Sequence, residues 1–163
     1  MRRMLFAAVL GLVACGQPAR DADAPTTAAP ATTAPAVNTA DTAEAQEEIA
    51  ELPAPYNQAN YEAGRRVFAQ CRSCHTIGVG EPNRVGPNLH GVFGREIGSL
   101  ADFNYSPAVQ EADFVWTAEQ LNNWLQSPQT FLPGNRMAFA GVRDETQRRD
   151  VIAFLMVESK PEE

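Results

Sequence analysis

Cys71-Arg72-Ser73-Cys74-His75 places two cysteines and a histidine within five positions. Three chemistries use such a cluster. A structural zinc site needs four ligands, usually as two separated pairs. Here only His90 remains as a further histidine, and the third cysteine, Cys15, stands alone near the start. A redox dithiol of the Cys-x-x-Cys type sits at a helix start after a strand, and the flanking sequence has no strand pattern. The third chemistry is covalent attachment of haem, for which Cys-x-x-Cys-His is the attachment pattern. Residues i, i+3 and i+4 share one face of a helical turn, so both thiols and the imidazole can address one flat ligand.

The rest of the chain supports a ligand of that size. Residues 76–115 are rich in Gly, Pro and Asn and show little periodicity. A structureless loop of that length is unusual inside a compact domain. It is reasonable where the chain wraps around something large that is not protein. Three helices flank it. The first is expected over 60–71, with Gly64, Val67, Phe68 and Cys71 on its buried face. The second starts at a capping Thr117 with Gln120 three residues on, carries Leu121, Trp124 and Leu125, and stops at Pro128. The third is expected over 144–158, capped by Asp144, with Val151, Phe154 and Leu155 on one face.

An iron held by His75 needs a second axial ligand. Of four methionines, Met1 and Met4 lie in the leader and Met156 falls on the third helix as a core residue. Met137 sits in the loop between the second and third helices, within Phe131-Leu132-Pro133-Gly134-Asn135-Arg136-Met137. A loop methionine is ordinarily a gap filler. Beside a haem clip and a wrapping loop, it is the candidate sixth ligand. His90 falls in the turn Asn88-Leu89-His90-Gly91 and is assigned a structural or surface role.

The formal charge is −7 and the chain has one lysine, Lys160. Neutralising phosphates takes Lys and Arg, so a nucleic-acid partner is excluded. Residues 56–163 carry 10 Lys+Arg against 13 Asp+Glu, so the acidic excess lies mostly in the segment before them and at the C-terminus. Residues 17–55 contain 13 Ala, 6 Pro and 6 Thr and no aromatic residue. Such a composition buries too little apolar surface to offset chain ordering, so it is expected as a disordered tether. A span of about 35 Å follows from its length. Within it, Thr42-Ala43-Glu44-Ala45-Gln46-Glu47-Glu48-Ile49-Ala50-Glu51-Leu52 favours a short acidic helix over 43–52.

The chain opens Met1-Arg2-Arg3, followed by an apolar run over residues 4–14. That run reaches about 16 Å as a helix, against about 30 Å of hydrocarbon, so it reads as an export signal rather than a membrane span. Leu12-Val13-Ala14-Cys15 resembles the bacterial lipobox, which implies cleavage before Cys15 and lipid on its sulfur. The expected organisation is a signal peptide over 1–14, a lipid-anchored Cys15 with its tether over 15–55, and a haem domain over 56–163.

Over residues 56–160 the chain resembles the class I c-type cytochromes, the group of mitochondrial cytochrome c and its purple-bacterial soluble relatives. The resemblance rests on Cys71 to His75, on Val85-Gly86-Pro87-Asn88-Leu89-His90-Gly91-Val92-Phe93-Gly94-Arg95, on Phe103-Asn104-Tyr105-Ser106-Pro107-Ala108-Val109, on Trp116, and on the Met137 segment. It implies an all-α fold of three main helices with long loops around one covalent haem c. It further implies thioethers at Cys71 and Cys74, axial His75 and Met137, and a Pro87 carbonyl accepting from the other ring nitrogen of His75. Arg95, Tyr105 and Trp116 would hold the haem propionates, and Gly64 and Phe68 would cross Val151 and Phe154. Asn135, Trp124 and Val109 depart from the family's usual threonine, tyrosine and asparagine, which implies a thinner polar network on the Met137 side.

Two protein ligands leave the iron no open site, which points to one-electron transfer. The resemblance implies a cytochrome bc complex as donor and a terminal oxidase or photosynthetic reaction centre as acceptor. The place would be the periplasmic side of the inner membrane. Competing readings are a peroxidase-like enzyme opened by loss of Met137, and a fixed subunit of an oxidase. The family's docking lysines are missing. Arg84, Arg136 and Arg143 occupy matching positions, and Arg72 lies in the clip, so they form an expected docking patch against the alternative of scattered solvated charge.

Overall fold

The computed structural model describes residues 39–161. Among them the α-helices are α1 (Thr39–Ala50), α2 (Tyr61–Phe68), α3 (Pro107–Gln110), α4 (Ala118–Gln126), α5 (Pro128–Phe131) and α6 (Glu145–Glu158). The leader, Cys15 and the tether up to residue 38 lie outside the described residues.

Local chemistry starts each main helix. Asn60 Oδ1 accepts from the Ala63 amide at 2.8 Å, Thr117 Oγ1 from Gln120 at 3.1 Å, and Asp144 Oδ1 from Gln147 at 2.8 Å. Each bond satisfies an amide that the first helical turn leaves without a partner. The helix expected over 60–71 stops earlier, at Phe68. Residues 69–74 continue as turns, with Arg72 N bonded to Phe68 O and His75 N to Cys71 O at 2.9 Å. The second and third helices stand where their caps and stripes put them. Pro128 both closes α4 and opens α5, because a proline needs no amide partner in a first turn.

Helix α6 is buried on several sides, with Val151, Ile152, Ala153, Phe154 and Leu155 all in the core. It crosses α2 at Gly64, and the rings of Phe68 and Phe154 meet there at 5.1 Å between centroids. Removing a side chain such as Phe68 or Ile152 from water contributes about 2 kcal/mol.

One expectation is corrected. Composition ends the tether at residue 55, but the folded body begins by residue 39. Ile49 of α1 is wholly buried and Ala45 nearly so. Gln46 bonds the Ala59 carbonyl at 3.0 Å and accepts from the Tyr61 amide at 2.9 Å. Lys160 pairs with Glu48 across the chain ends. The helix expected over 43–52 is present, shifted to 39–50, and it is held by tertiary contacts that its acidic, alanine-rich sequence conceals.

The long segment between α2 and α4 carries only α3 and one antiparallel contact. Gly94 N donates to Trp116 O, Trp116 N to Arg95 O (both 2.9 Å) and Ile97 N to Phe114 O (3.0 Å), around a Glu96–Val115 bridge. Phe114, Trp116, Trp124 and Phe131 then pack edge to face at 5.0 to 6.0 Å. No described helix is long and apolar enough to cross a membrane.

Candidate haem site

His75 is fixed from two sides. Its Nδ1–H donates to the Pro87 carbonyl at 2.7 Å. A carbonyl can only accept, so this bond sets the tautomer and leaves Nε2 with a free lone pair. Burial holds the imidazole below its ordinary pKa, with the Pro87 bond working the other way. The neutral, ligating form is therefore favoured. Gly86 supplies the second constraint. A Cβ there would lie 2.3 Å from His75 Cε1, so only glycine lets the loop close against the ring. The loop is tied down by Gly86 N to Cys74 O at 2.8 Å and Leu89 N to Thr76 O at 2.9 Å.

Cys71 and Cys74 are both free thiols and half-buried. As a free thiol, Cys71 is pushed up to about 11 by burial and by its neighbour Cys74. A redox dithiol needs the opposite shift, toward thiolate. Cys71 is therefore poorly suited to disulfide exchange.

Three residues expected at the haem carboxylates come together. The Glu96–Val115 contact puts the backbones of Arg95 and Trp116 side by side. Arg95 donates through Nη1 to the His90 carbonyl and through Nη2 to the Asn88 carbonyl, both at 3.0 Å. Burial lowers its pKa, while nearby Tyr105 favours its charge. Tyr105 is itself raised by burial, with Arg95 opposing. Beside them lies Ser106, which sequence reasoning missed. It is 3% exposed and its hydroxyl has no partner. A buried orphan hydroxyl costs free energy unless a ligand satisfies it. Ser106 precedes Pro107 at the start of α3 and reads as a helix cap, yet makes no cap bond. That Ser-Pro pattern hid its role.

Met137 is half-buried and packs on the core, as does Cys71. The thin polar network expected around it is not what the loop shows. Asn135 is 7% exposed, and both its amide hydrogens are spent on the Pro128 and Leu132 carbonyls at 2.9 and 2.8 Å. Its Oδ1 accepts from the Met137 amide at 2.9 Å. Gln129 Nε2 adds bonds to Asn135 O and Met137 O at 3.2 and 3.1 Å. Past Met137, Arg148 is buried and donates to Val142 O and Arg143 O at 2.9 and 2.8 Å. His90 stays in its turn, its amide bonded to Asn88 and its carbonyl to Arg95.

The four arginines of the expected patch are all exposed. Arg72 and Arg84 belong together, because Arg84 Nη1 donates to the Arg72 carbonyl at 2.9 Å. Arg136 is bonded instead to the Asn104 carbonyl, and Arg143 borders an open cleft beside Gln126 and Phe131. Glu81 modifies the pair. The Gly78 and Ile77 amides hold its carboxyl below the usual range, helped by Arg84 and Arg72.

These features fit a haem-binding protein of the c type: paired thiols, an imidazole with one nitrogen tied back, an arginine grouped with a tyrosine and a tryptophan, and loops rather than helices as walls. Comparison with known proteins agrees. The chain is 36% identical over 106 residues to cytochrome c of Kluyveromyces lactis, which covers 64% of this chain and 96% of that protein. It is 40% identical over 107 residues to cytochrome c2 of Blastochloris viridis, covering 66% and 84%. To cytochrome c-550 of Ancylobacter novellus it is 43% identical over 95 residues, covering 56% and 89%. No family model matches the chain. The chain belongs to the cytochrome c family, with that family's class I all-α fold. It is an electron-transfer protein, not an enzyme, and carries haem c covalently through Cys71 and Cys74.

Proposed function

We propose that this cytochrome is a one-electron carrier tethered by lipid to the periplasmic face of the inner membrane. His75 and Met137 would hold its haem. When bound, the haem supplies a single-electron redox couple. The protein's share is to hold that couple steady. His75 presents Nε2 because Nδ1 is committed to Pro87, and this bond is the observation that carries the reading. Arg95, Tyr105, Trp116 and Ser106 receive the two propionates and offset the cost of burying their charge. With His75 and Met137 both committed to the group, no position would be left open to other ligands.

The tether reading rests on residues 1–14 as leader and Cys15 as acylation site. With α1 part of the folded body, the proposed tether shortens to 15–38, which as a flexible chain would span about 27 Å. Such a leash raises the effective concentration of the carrier at partners in the same membrane. The chemistry suits a cytochrome bc complex as donor and a terminal oxidase or photosynthetic reaction centre as acceptor. Brief polar encounters serve such exchange.

The test uses membranes of the host containing these complexes. The full-length holoprotein is expected in the membrane fraction, supporting quinol-driven oxygen uptake or re-reduction of the photo-oxidised reaction centre. Cys15→Ser is expected in the aqueous fraction, exchanging electrons only at higher bulk concentration. Equal partitioning of the two proteins would sink the lipid anchor, and inertness of both toward either acceptor would sink the carrier assignment.

A further inference from the structure

We infer that Asn135 is a positioning residue that locks the Met137 loop closed, so that its carboxamide, not a propionate contact, is its function. The inference rests on the reading of Met137 as axial ligand.

The observation is a complete use of one side chain. An asparagine amide has two N–H donors and one oxygen. At Asn135 both donors go to backbone carbonyls of the preceding turn, Pro128 and Leu132. The oxygen takes the amide of Met137, two residues on, and also accepts from Gln129 Nε2. One buried group therefore joins α5, the Leu132 turn and the backbone of Met137. No donor remains for a haem carboxylate. Gln129, on α5, closes the same loop from outside by donating to the carbonyls of Asn135 and Met137.

The alternatives at this position differ in a defined way. Alanine removes all four bonds of the carboxamide. Aspartate keeps the acceptor for Met137 N but turns its other oxygen against two carbonyl oxygens, which repels. Both changes free the loop without touching the methionine. A freer loop spends a larger fraction of time with the sulfur away from iron. An external ligand that competes for that position binds with an apparent affinity proportional to that fraction.

The probe is imidazole, titrated into the oxidised holoprotein. Loss of the long-wavelength charge-transfer band that reports sulfur on iron gives its apparent Kd. Asn135→Ala and Asn135→Asp are expected to bind imidazole about tenfold more tightly than wild type, corresponding to about 1.4 kcal/mol of lost loop closure. Gln129→Ala is expected to give a smaller rise. If the Asn135 variants do not retain haem, Gln129→Ala alone decides, since it removes the Gln129 bonds and leaves those from Asn135 to Pro128, Leu132 and Met137 in place. Tyr61→Phe, on the far side of the α2–α6 crossing, serves as a stability control and is expected to leave imidazole affinity unchanged. A wild-type protein lacking the band would end the Met137 reading, and this inference with it. A wild-type band with unchanged imidazole affinity in the Asn135 and Gln129 variants overturns the positioning role alone. An equal rise in Tyr61→Phe overturns it as well, by reducing the effect to general loosening.

Discussion

Gly64 of α2 lies against the backbone of Asp150 in α6, where a Cβ would stand 2.2 Å from the Asp150 carbonyl oxygen and 2.7 Å from Phe154 Cβ. Real atoms do not approach so closely, so Gly64→Ala must push the helices apart. An alanine gains about 0.5–1 kcal/mol in helix propensity. Overpacking of a tight core typically costs about 1–3 kcal/mol, and here the clash is with backbone. A net loss of about 2 kcal/mol is expected in denaturant unfolding, with an unchanged m-value. Wild-type stability in the variant would show that the crossing is looser than it looks.

Tyr61 reports the same crossing through its hydroxyl, which donates to Glu158 Oε1 at 2.7 Å. Burial first, then Glu158, raises its pKa above the ordinary phenol value. The sign follows from linkage. A raised folded pKa means the contribution is full below the unfolded value of about 10 and is lost as pH rises beyond it. Tyr61→Phe is expected to cost about 1 kcal/mol at pH near 7. The gap between the two proteins is expected to narrow in alkaline unfolding titrations. A gap that widens with pH would contradict the assigned bond.

What could be read from sequence was whatever is encoded locally. Asn60, Thr117 and Asp144 announce three helices because a cap needs only its own next three residues. The haem clip is legible because its chemistry is compressed into Cys71 to His75. Three things escaped for the opposite reason. Nothing in the acidic, alanine-rich run of α1 says that Ile49 is wholly buried, because its partners are α2 and α6. Asn135 reads from sequence only as a departure from the family's usual threonine, while its bonds go to carbonyls in α5 and the following turn. Ser106 reads as a cap, and only the structure shows that its hydroxyl is buried without a partner. Each is a property of tertiary placement.

Gly86 against His75 yields a sharper site prediction. Its backbone needs no special conformation, so alanine is excluded solely by the imidazole, 2.3 Å from the would-be Cβ. Gly86→Ala is expected to tilt the ring and break the bond to Pro87. Losing such an orienting contact typically costs about 10- to 100-fold in metal affinity. The yield of haem-loaded protein per folded chain, read from Soret absorbance against circular dichroism, is expected to fall about tenfold or more. A normal yield would mean that the loop can retreat from the ring without consequence.

The Arg72–Arg84 pair and Glu81 make the docking charge testable with opposite signs. Both arginines are exposed and linked through the Arg72 carbonyl, and the Glu81 carboxylate lies within their field. Val85 beside them is 82% exposed. For an acidic partner, the steering charge here is two cations diluted by one anion. Arg72→Gln and Arg84→Gln are each expected to lower the bimolecular electron-transfer rate several-fold at low salt. Glu81→Gln is expected to raise it by a similar factor. Arg84→Lys, which keeps the charge but not the bond geometry, is expected to stay near wild type. All variants should converge near 1 M salt, where the screening length falls to about 3 Å. Stopped-flow rates against ionic strength measure this directly. A flat salt dependence, or Glu81→Gln and Arg72→Gln moving in the same direction, would mean that the exposed arginines are solvated charge and that Val85 and its apolar surroundings govern the encounter.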